Sequence, residues 1–108
     1  MVSATASVVG IDLGNQYFKS TLVKPGAPFE IVENTMSKRK TPTAIAFTDD
    51  ERLYGADAIK QSSSNPTRTF THFRDYIGMP YSEDIVQQAK SMYDYVDIIS
   101  DENGLVAF

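Results

Sequence analysis

The first apolar runs of the chain are short and separated by turn residues, a pattern that predicts a β-hairpin. Residues 8–13 are apolar except for a glycine and Asp12, which is typical of a strand buried on both faces that ends in a charged residue. A tight turn at 14–16 leads into a second strand at 17–23, which is rich in β-branched and aromatic residues. The short connection makes the two strands antiparallel.

The next apolar runs extend this hairpin into a meander. Pro25 and Gly26 predict a turn before a third strand at 29–33, whose alternate residues Phe29 and Ile31 share one face. Residues 34–41 have no apolar period and carry three consecutive cations, so they predict an exposed loop with a solvated basic face. A fourth strand is predicted at 43–47.

The period then becomes helical. Apolar residues at helical spacing predict a helix over 53–61, which the polar segment ending in a proline at 62–66 stops. A second, short helix is predicted from apolar residues at i, i+3 and i+7 and a capping glycine: Phe70, Phe73, Ile77 and Gly78. A third begins at an N-cap serine and repeats apolar residues on one side: Ser82, then Ile85, Ala89 and Met92.

The chain closes on a predicted second hairpin. Strand-like segments at 95–99 and 105–108 flank a turn at 101–104 that contains Asn-Gly, a strong hairpin signal.

The chain stops within the last strand without a polar tail, so we expect it to be a piece of a longer protein. Its organisation is predicted to be a leader at 1–7, flexible and made of small residues, and one folded unit at 8–108. A processed start of a secreted precursor is one interpretation of the leader, and an ordinary flexible terminus is the other.

Length and composition exclude several classes of protein. With 108 residues and 42% hydrophobic residues, the chain is long enough for one small folded domain and too short for a two-domain enzyme. The net charge of −4 disfavours a nucleic-acid partner. No apolar run approaches the roughly 20 residues needed to cross a bilayer. The absence of cysteine excludes disulfides and thiolate metal sites, and a single histidine, His72, excludes a multi-histidine metal site.

The most informative chemistry lies at the first turn. Gly14 lets the backbone approach a ligand closely, and the amides of Asn15, Gln16 and Tyr17 can point into one concavity that holds phosphate. Asp12, at the end of the preceding strand, can hold a magnesium ion through its water shell. The alternative is a plain hairpin whose glycine only serves the turn, because Asp-x-Gly is common. No Gly-Lys-Ser/Thr follows, so the turn is not a Walker loop.

Motifs along nearly the whole chain resemble the start of the nucleotide-binding domain of the heat-shock protein 70 family, part of the actin and hexokinase superfamily. Its first phosphate motif is matched by Gly-Ile-Asp-Leu-Gly at 10–14 followed by Tyr17, and five downstream stretches match in order and spacing, at 31–34, 39–42, 46–49, 51–55 and 65–67. The resemblance implies an α/β fold of the ribonuclease-H-like, actin-like ATPase class, of which this chain is the first lobe only.

The same resemblance assigns roles to the residues at the turn. Asp12 would position hydrated magnesium, residues 14–17 would hold the β- and γ-phosphates, and Arg74 would occupy the position of the family's catalytic lysine, facing the γ-phosphate. The nucleotide would be ATP or ADP. Adenine and ribose contacts would come largely from a second lobe. The chain alone would then bind ATP weakly and turn it over negligibly.

Two departures from the family pattern bear on hydrolysis. Asn15 and Gln16 stand where family members carry two threonines, so the backbone amides are kept and both hydroxyls are lost. Arg74 keeps the charge of the lysine but is a planar fork instead of a compact ammonium. Both changes predict that phosphate binding survives more readily than hydrolysis. Arg74 as an ordinary surface residue paired with an acid is the alternative.

The segments at 22–32 and 37–42 resemble, within the family, the large members of the endoplasmic-reticulum lumen, the glucose-regulated protein 170 type. That resemblance implies a chaperone or co-chaperone in protein folding and the stress response, located in the lumen of the endoplasmic reticulum, with the cytoplasm as the alternative. It also implies a nucleotide-exchange role, and partners that include another heat-shock protein 70-type chaperone and unfolded polypeptide. The competing interpretation is an interaction module that has lost its ligand and docks a partner chaperone. A sugar kinase of the same superfamily is disfavoured by the stretches at 39–42 and 51–55.

Overall fold

The computed structural model describes residues 6–93 and 97–108. The predicted hairpin is confirmed: β1 (Val8–Leu13) pairs antiparallel with β2 (Tyr17–Val23), in a register that sets Leu13 opposite Phe18. The predicted burial of β1 is wrong, because all of its residues are exposed and Ile11 has 68% of its surface accessible. Among the described strands, only β2 pairs with β1. The second edge of β1 and much of both of its faces therefore contact no other element.

Two short strands complete the first sheet, both paired antiparallel with β2. β3 (Glu30–Ile31) pairs with its C-terminal half, which confirms the meander, although the strand is shorter than predicted and Phe29 is exposed. β4 (Thr41–Pro42) pairs with its N-terminal end beside Tyr17 and Phe18. The loop predicted at 34–41 is therefore correct except for Thr41, which belongs to β4 and pairs with β2.

A second sheet carries the first core. β5 (Ala44–Phe47) lies between β6 (Arg52–Tyr54) and β7 (Thr69–Thr71), both antiparallel to it. Helix α1 (Gly55–Gln61) packs across β5, and the buried side chains are small, which lets the helix come close: Ala44, Ala46 and Ala58. The predicted start of the helix at 53 is wrong, because Leu53 and Tyr54 pair with β5 before the helix begins at Gly55.

The second predicted helix is not an α-helix. The apolar spacing of its residues arises instead from β7 followed by a single 3-10 turn, Phe73–Asp75, with another 3-10 turn at Pro66–Arg68 before the strand. The edge of β5 provides hydrogen-bond partners that an isolated short helix lacks, and Phe70 lies opposite Ile45 in that pairing. Gly78 has a φ of 74°, so the residue predicted as a cap does adopt the left-handed conformation.

The last elements form a second core. Helix α2 (Glu83–Met92) begins at the predicted N-cap, since the Ser82 side chain accepts a hydrogen bond from the amide of Ile85 at 3.3 Å. Ala89 of this helix is buried with Tyr76 and Ile98, whereas Met92, predicted on the same side, is exposed in the last turn. A hairpin of β8 (Ile99–Ser100) and β9 (Val106–Ala107) follows, as predicted but shorter.

Parts of two predictions lie outside the described residues: most of the leader at 1–7, and positions 95 and 96 of the strand predicted at 95–99. Within the described ranges, no helix has the length and apolar character of a membrane span.

Candidate functional site

Gly14 fixes the shape of the turn between β1 and β2. Its amide donates to the carbonyl oxygen of Tyr17 at 3.0 Å, which closes the hairpin. A Cβ atom at this position would lie 2.5 Å from the same oxygen, closer than atoms pack. Gly14 does not have a positive φ, so glycine is required here by the close approach of the backbone and not by a left-handed conformation.

Thr43, between β4 and β5, holds the carbonyl groups of the turn. Its hydroxyl donates to the Gly14 carbonyl and its amide donates to the Gln16 carbonyl, each at 2.8 Å, and the side chain is buried. Within the described chain, the amide N–H groups of Asn15 and Gln16 make no hydrogen bond. The turn therefore has its Gly14 and Gln16 carbonyl groups occupied and two neighbouring amide donors open, an arrangement suited to an anion.

The side chain of Asn15 reaches across to a distant segment. Its Nδ2 donates to Oδ2 of Asp75 at 2.6 Å, a contact between residues 60 positions apart. Its Oδ1 is buried and has no hydrogen-bond partner among the described residues. A buried acceptor left unpaired costs roughly 1–3 kcal/mol, and the charge-assisted bond to the carboxylate acts in the opposite direction.

A cavity of about 240 Å³ opens beside the turn. Its wall combines the turn with β4, α1 and the end of β7, and its lining residues are Asn15, Gln16, Tyr17, Pro42, Thr43, Ile59, Thr71 and His72. Its size is below the 300–1,000 Å³ typical of ligand pockets. A larger open depression of about 650 Å³ runs along β3 but contains none of the turn residues.

His72 enters this cavity in an unusual backbone conformation. Its φ of 57° is left-handed, which is uncommon for a residue with a side chain. The ring stacks on Tyr93 with centroids 4.8 Å apart, and Nδ1 lies 3.1 Å from the Thr71 hydroxyl. These contacts give His72 a packing role. The apolar spacing around His72 predicts a helix there. In the structure His72 instead lies directly before the 3-10 turn Phe73–Asp75.

Charged groups of both signs surround the turn. Asp12 is exposed near the end of β1, opposite Lys19 in the strand register. The ammonium of Lys40 lies 4.2 Å from the centre of the Tyr17 ring, a cation–π contact that holds a cation beside the turn. No group of three or more acidic or histidine side chains suited to a metal occurs in the described ranges, so magnesium here would rely on one carboxylate and water.

Arg74 is exposed in the 3-10 turn Phe73–Asp75 and does not line the cavity. Its neighbour Asp75 holds Asn15, so the structure connects the segment of Arg74 with the turn through the adjacent residue. No ion pair involves Arg74 in the part of the chain that the structure describes. The alternative of a surface arginine paired with an acid therefore finds no acid partner there.

Three residues of this site were missed by the sequence reasoning. Thr43 was assigned to a strand, Lys40 to a solvated basic face, and Asp75 received no role. Only Lys40 had a usable signal, since it is a cation just before the strand that pairs with Tyr17. The contacts of Thr43 and Asp75 depend on the tertiary fold.

The comparisons with known proteins cover most of the chain. A family model described as Hsp70 protein matches residues 8–108. The chain is similar to hypoxia up-regulated protein 1 of Xenopus laevis, with 39% identity over 98 residues, which cover 91% of this chain and 15% of that protein. For the Xenopus tropicalis protein of the same name the identity is 36% over 99 residues, covering 92% and 15%. The Homo sapiens protein of that name is 39% identical over 77 residues, covering 71% of this chain and 8% of its own length.

Proposed function

Since the chain belongs to the Hsp70 family, whose model matches residues 8–108, we propose that it forms the first lobe of an actin-like nucleotide-binding domain and binds magnesium ADP or ATP weakly at the turn 14–17. The mixed α/β architecture is compatible with this fold. The exposed apolar strand β1 supports a larger sheet in which β1 is an interior strand.

The observation that carries the proposal is the pair of open amides in the turn. The consecutive N–H groups of Asn15 and Gln16 have no partner in the described chain, while Thr43 occupies the Gly14 and Gln16 carbonyl groups, which would otherwise repel a phosphate. Such adjacent amides form an anion-binding concavity. Gly14 keeps the backbone close enough for this, because any side chain there would meet the Tyr17 carbonyl.

The surrounding residues also fit a magnesium-bound phosphate. Asp12 would hold hydrated magnesium through its exposed carboxylate, which suits an ion that keeps most of its water. When bound, magnesium would neutralise part of the phosphate charge. Lys40 lies beside Tyr17 at the turn. By the resemblance to the family, Arg74 would be the cation that faces the γ-phosphate.

We infer that hydrolysis by this chain is slow or absent. The side chain of Asn15 is engaged by Asp75, and Asn15 and Gln16 supply no hydroxyl. A guanidinium at Arg74 does not reproduce the compact charge of a lysine. A single misplaced donor at a reacting phosphoryl group can cost about 2.7–4 kcal/mol of transition-state stabilisation.

The role of the whole protein is proposed by analogy with its relatives. The chain spans 15% or less of the lengths of the three relatives compared above. The name shared by these relatives denotes the glucose-regulated protein 170 type. We infer a chaperone or co-chaperone of the endoplasmic-reticulum lumen that promotes nucleotide exchange on a partner heat-shock protein 70 and handles unfolded polypeptide.

A magnesium-ADP titration followed by backbone amide NMR tests the nucleotide site. We expect shifts concentrated at residues 14–17 that disappear without magnesium, because the anion is held by the turn amides. Asp12→Asn should weaken this binding by about tenfold, the effect of losing one charge-assisted contact of roughly 1.4 kcal/mol. Asp50→Asn is the matched control, an equal charge change at an exposed residue in the turn before β6.

The result decides between two functions. Shifts at the turn that depend on Asp12 and not on Asp50 support the nucleotide site. If the amides at 14–17 stay unchanged at millimolar nucleotide while the protein is folded, the nucleotide proposal is wrong. The chain would then be better described as the interaction module that docks a partner chaperone.

A further inference from the structure

The hydrogen bond between Asn15 and Asp75 joins the turn at 14–17, called here the phosphate turn, to the segment that carries Arg74. The turn is otherwise held by Thr43, which fixes its carbonyl groups from the side of β4 and β5. Asp75 approaches from the 3-10 turn after β7 and takes the side-chain amide of Asn15 at 2.6 Å. The turn is thus anchored on two sides by two different segments.

The chemistry of the two groups fixes the orientation of the Asn15 side chain. A carboxylate only accepts hydrogen bonds, so the Asn15 amide must present its nitrogen to Asp75. The reverse orientation would set two acceptors against each other. Asn15 keeps the observed orientation although its oxygen is buried without a partner, which indicates that Asp75 determines where this side chain lies.

We propose that Asp75 is a positioning residue that holds the Asn15 side chain and thereby sets the conformation of the phosphate turn and its relation to Arg74. The proposal rests on the nucleotide site described above. With Nδ2 held by Asp75, the side chain of Asn15 is fixed while its backbone amide stays without a partner in the described chain. Arg74 precedes Asp75 directly, so the bond that orders the turn also restrains the backbone next to the arginine.

Two substitutions separate positioning from charge. Asp75→Ala removes both the acceptor and the negative charge, whereas Asp75→Asn removes the charge and keeps an oxygen that can accept from Asn15. Asp50→Ala and Asp50→Asn make the same changes at another exposed aspartate, in the turn before β6. The first measurement, without nucleotide, is hydrogen exchange of the Asn15 side-chain amide and 15N relaxation at residues 14–17. The second is the affinity for magnesium ADP.

Exchange of the Asn15 side-chain amide should rise about tenfold in Asp75→Ala, which leaves no acceptor, and by less in Asp75→Asn, which keeps a neutral acceptor in place of the charged one. Asp75→Ala should also bind magnesium ADP at least threefold more weakly than Asp75→Asn, because both lack the charge and only one keeps the turn ordered. The Asp50 variants should match the wild type in both measurements.

Hydrogen exchange and nucleotide affinity test the role of Asp75 and the nucleotide site separately. If exchange of the Asn15 amide is the same in Asp75→Ala and the wild type, Asp75 does not hold Asn15 and the inference is wrong. Equal affinities in Asp75→Ala and Asp75→Asn, with binding intact, overturn the positioning role. If the wild type itself binds no nucleotide, the proposed function fails, and the exchange data still decide whether Asp75 orders the turn.

Discussion

Gly14 shows how the close approach of the backbone excludes a side chain at one position of the turn. The space for its missing side chain is filled by the Tyr17 carbonyl, a backbone atom that cannot rotate away. Gly26 is the opposite case, with a φ of 73° and nothing within 4 Å of an added Cβ. The first glycine is required by contact and the second by conformation.

Asparagine substitution distinguishes the two requirements. Gly14→Asn should lower the free energy of unfolding by about 1–3 kcal/mol, as overpacking against backbone does. Gly26→Asn should change it by less, because asparagine tolerates the left-handed region and the site is open. Urea denaturation of both variants measures the difference. Equal losses would show that contact with Tyr17 is not what demands glycine at position 14.

Tyr76 links stability to pH. Burial raises the pKa of its hydroxyl above the usual 10.0, and the negative charge of Asp75 raises it further. The folded protein therefore keeps the Tyr76 proton at a pH where the unfolded chain loses it. The stabilisation is fully present below pH 10 and is lost as the pH rises through the folded-state pKa.

We expect the free energy of unfolding to fall above pH 10, because the unfolded chain loses the Tyr76 proton at a lower pH than the folded protein does. Tyr76→Phe cannot ionise and should show a shallower decline. Urea unfolding at a series of alkaline pH values compares the two slopes. Parallel curves for the wild type and Tyr76→Phe would mean that Tyr76 makes no contribution to the pH dependence.

The N-cap residue Ser82, directly before helix α2, fixes where the helix begins. The interior of the helix contributes one buried residue, Ala89. Ser82→Ala should cost about 1 kcal/mol of stability, the usual value of an N-cap. Ser91→Ala is the matched control, since Ser91 lies in the same helix and donates only to the Gln88 carbonyl. Thermal or urea unfolding in which both variants lose equal stability would exclude a specific capping effect.

Local signals predicted some elements better than others. The first hairpin and α2 were predicted correctly because each carries its own signal, a strand–turn–strand pattern and an N-cap. The helix predicted around Phe70 was wrong because the same apolar spacing fits a strand whose partner, β5, lies more than twenty residues earlier. Periodicity over so few residues does not separate the two structures.

The candidate site, too, could be predicted only where its residues are close together in the chain. The turn at 14–16 and its glycine were predictable, since the residue types are adjacent in the chain. The anchoring of Asn15 by Asp75 was not, because it joins residues 60 positions apart on a segment whose local structure was misassigned. The roles of Asp12, Gln16 and Arg74 in binding remain predictions that the titration tests.

The molecule as a whole buries its apolar residues unevenly. The buried clusters lie where α1 meets β5 and where α2 meets Tyr76 and Ile98, and no buried residue comes from the first hairpin. Strand β1 pairs on one edge only among the described strands and exposes a row of large apolar side chains, Val8, Val9, Ile11 and Leu13. An open edge with apolar faces is a template for pairing with another chain.

We therefore expect the 108-residue chain to self-associate through β1 as its concentration rises. Ile11→Lys should reduce this association, because it places a charge on the exposed strand. Ile77→Lys is the matched control, since Ile77 is 64% exposed against 68% for Ile11 but lies outside any strand. Sedimentation velocity over a range of concentrations should show a rising average sedimentation coefficient for the wild type and Ile77→Lys, and a flat one for Ile11→Lys. If Ile77→Lys suppresses association equally, the cause is general surface hydrophobicity and not the open edge of β1.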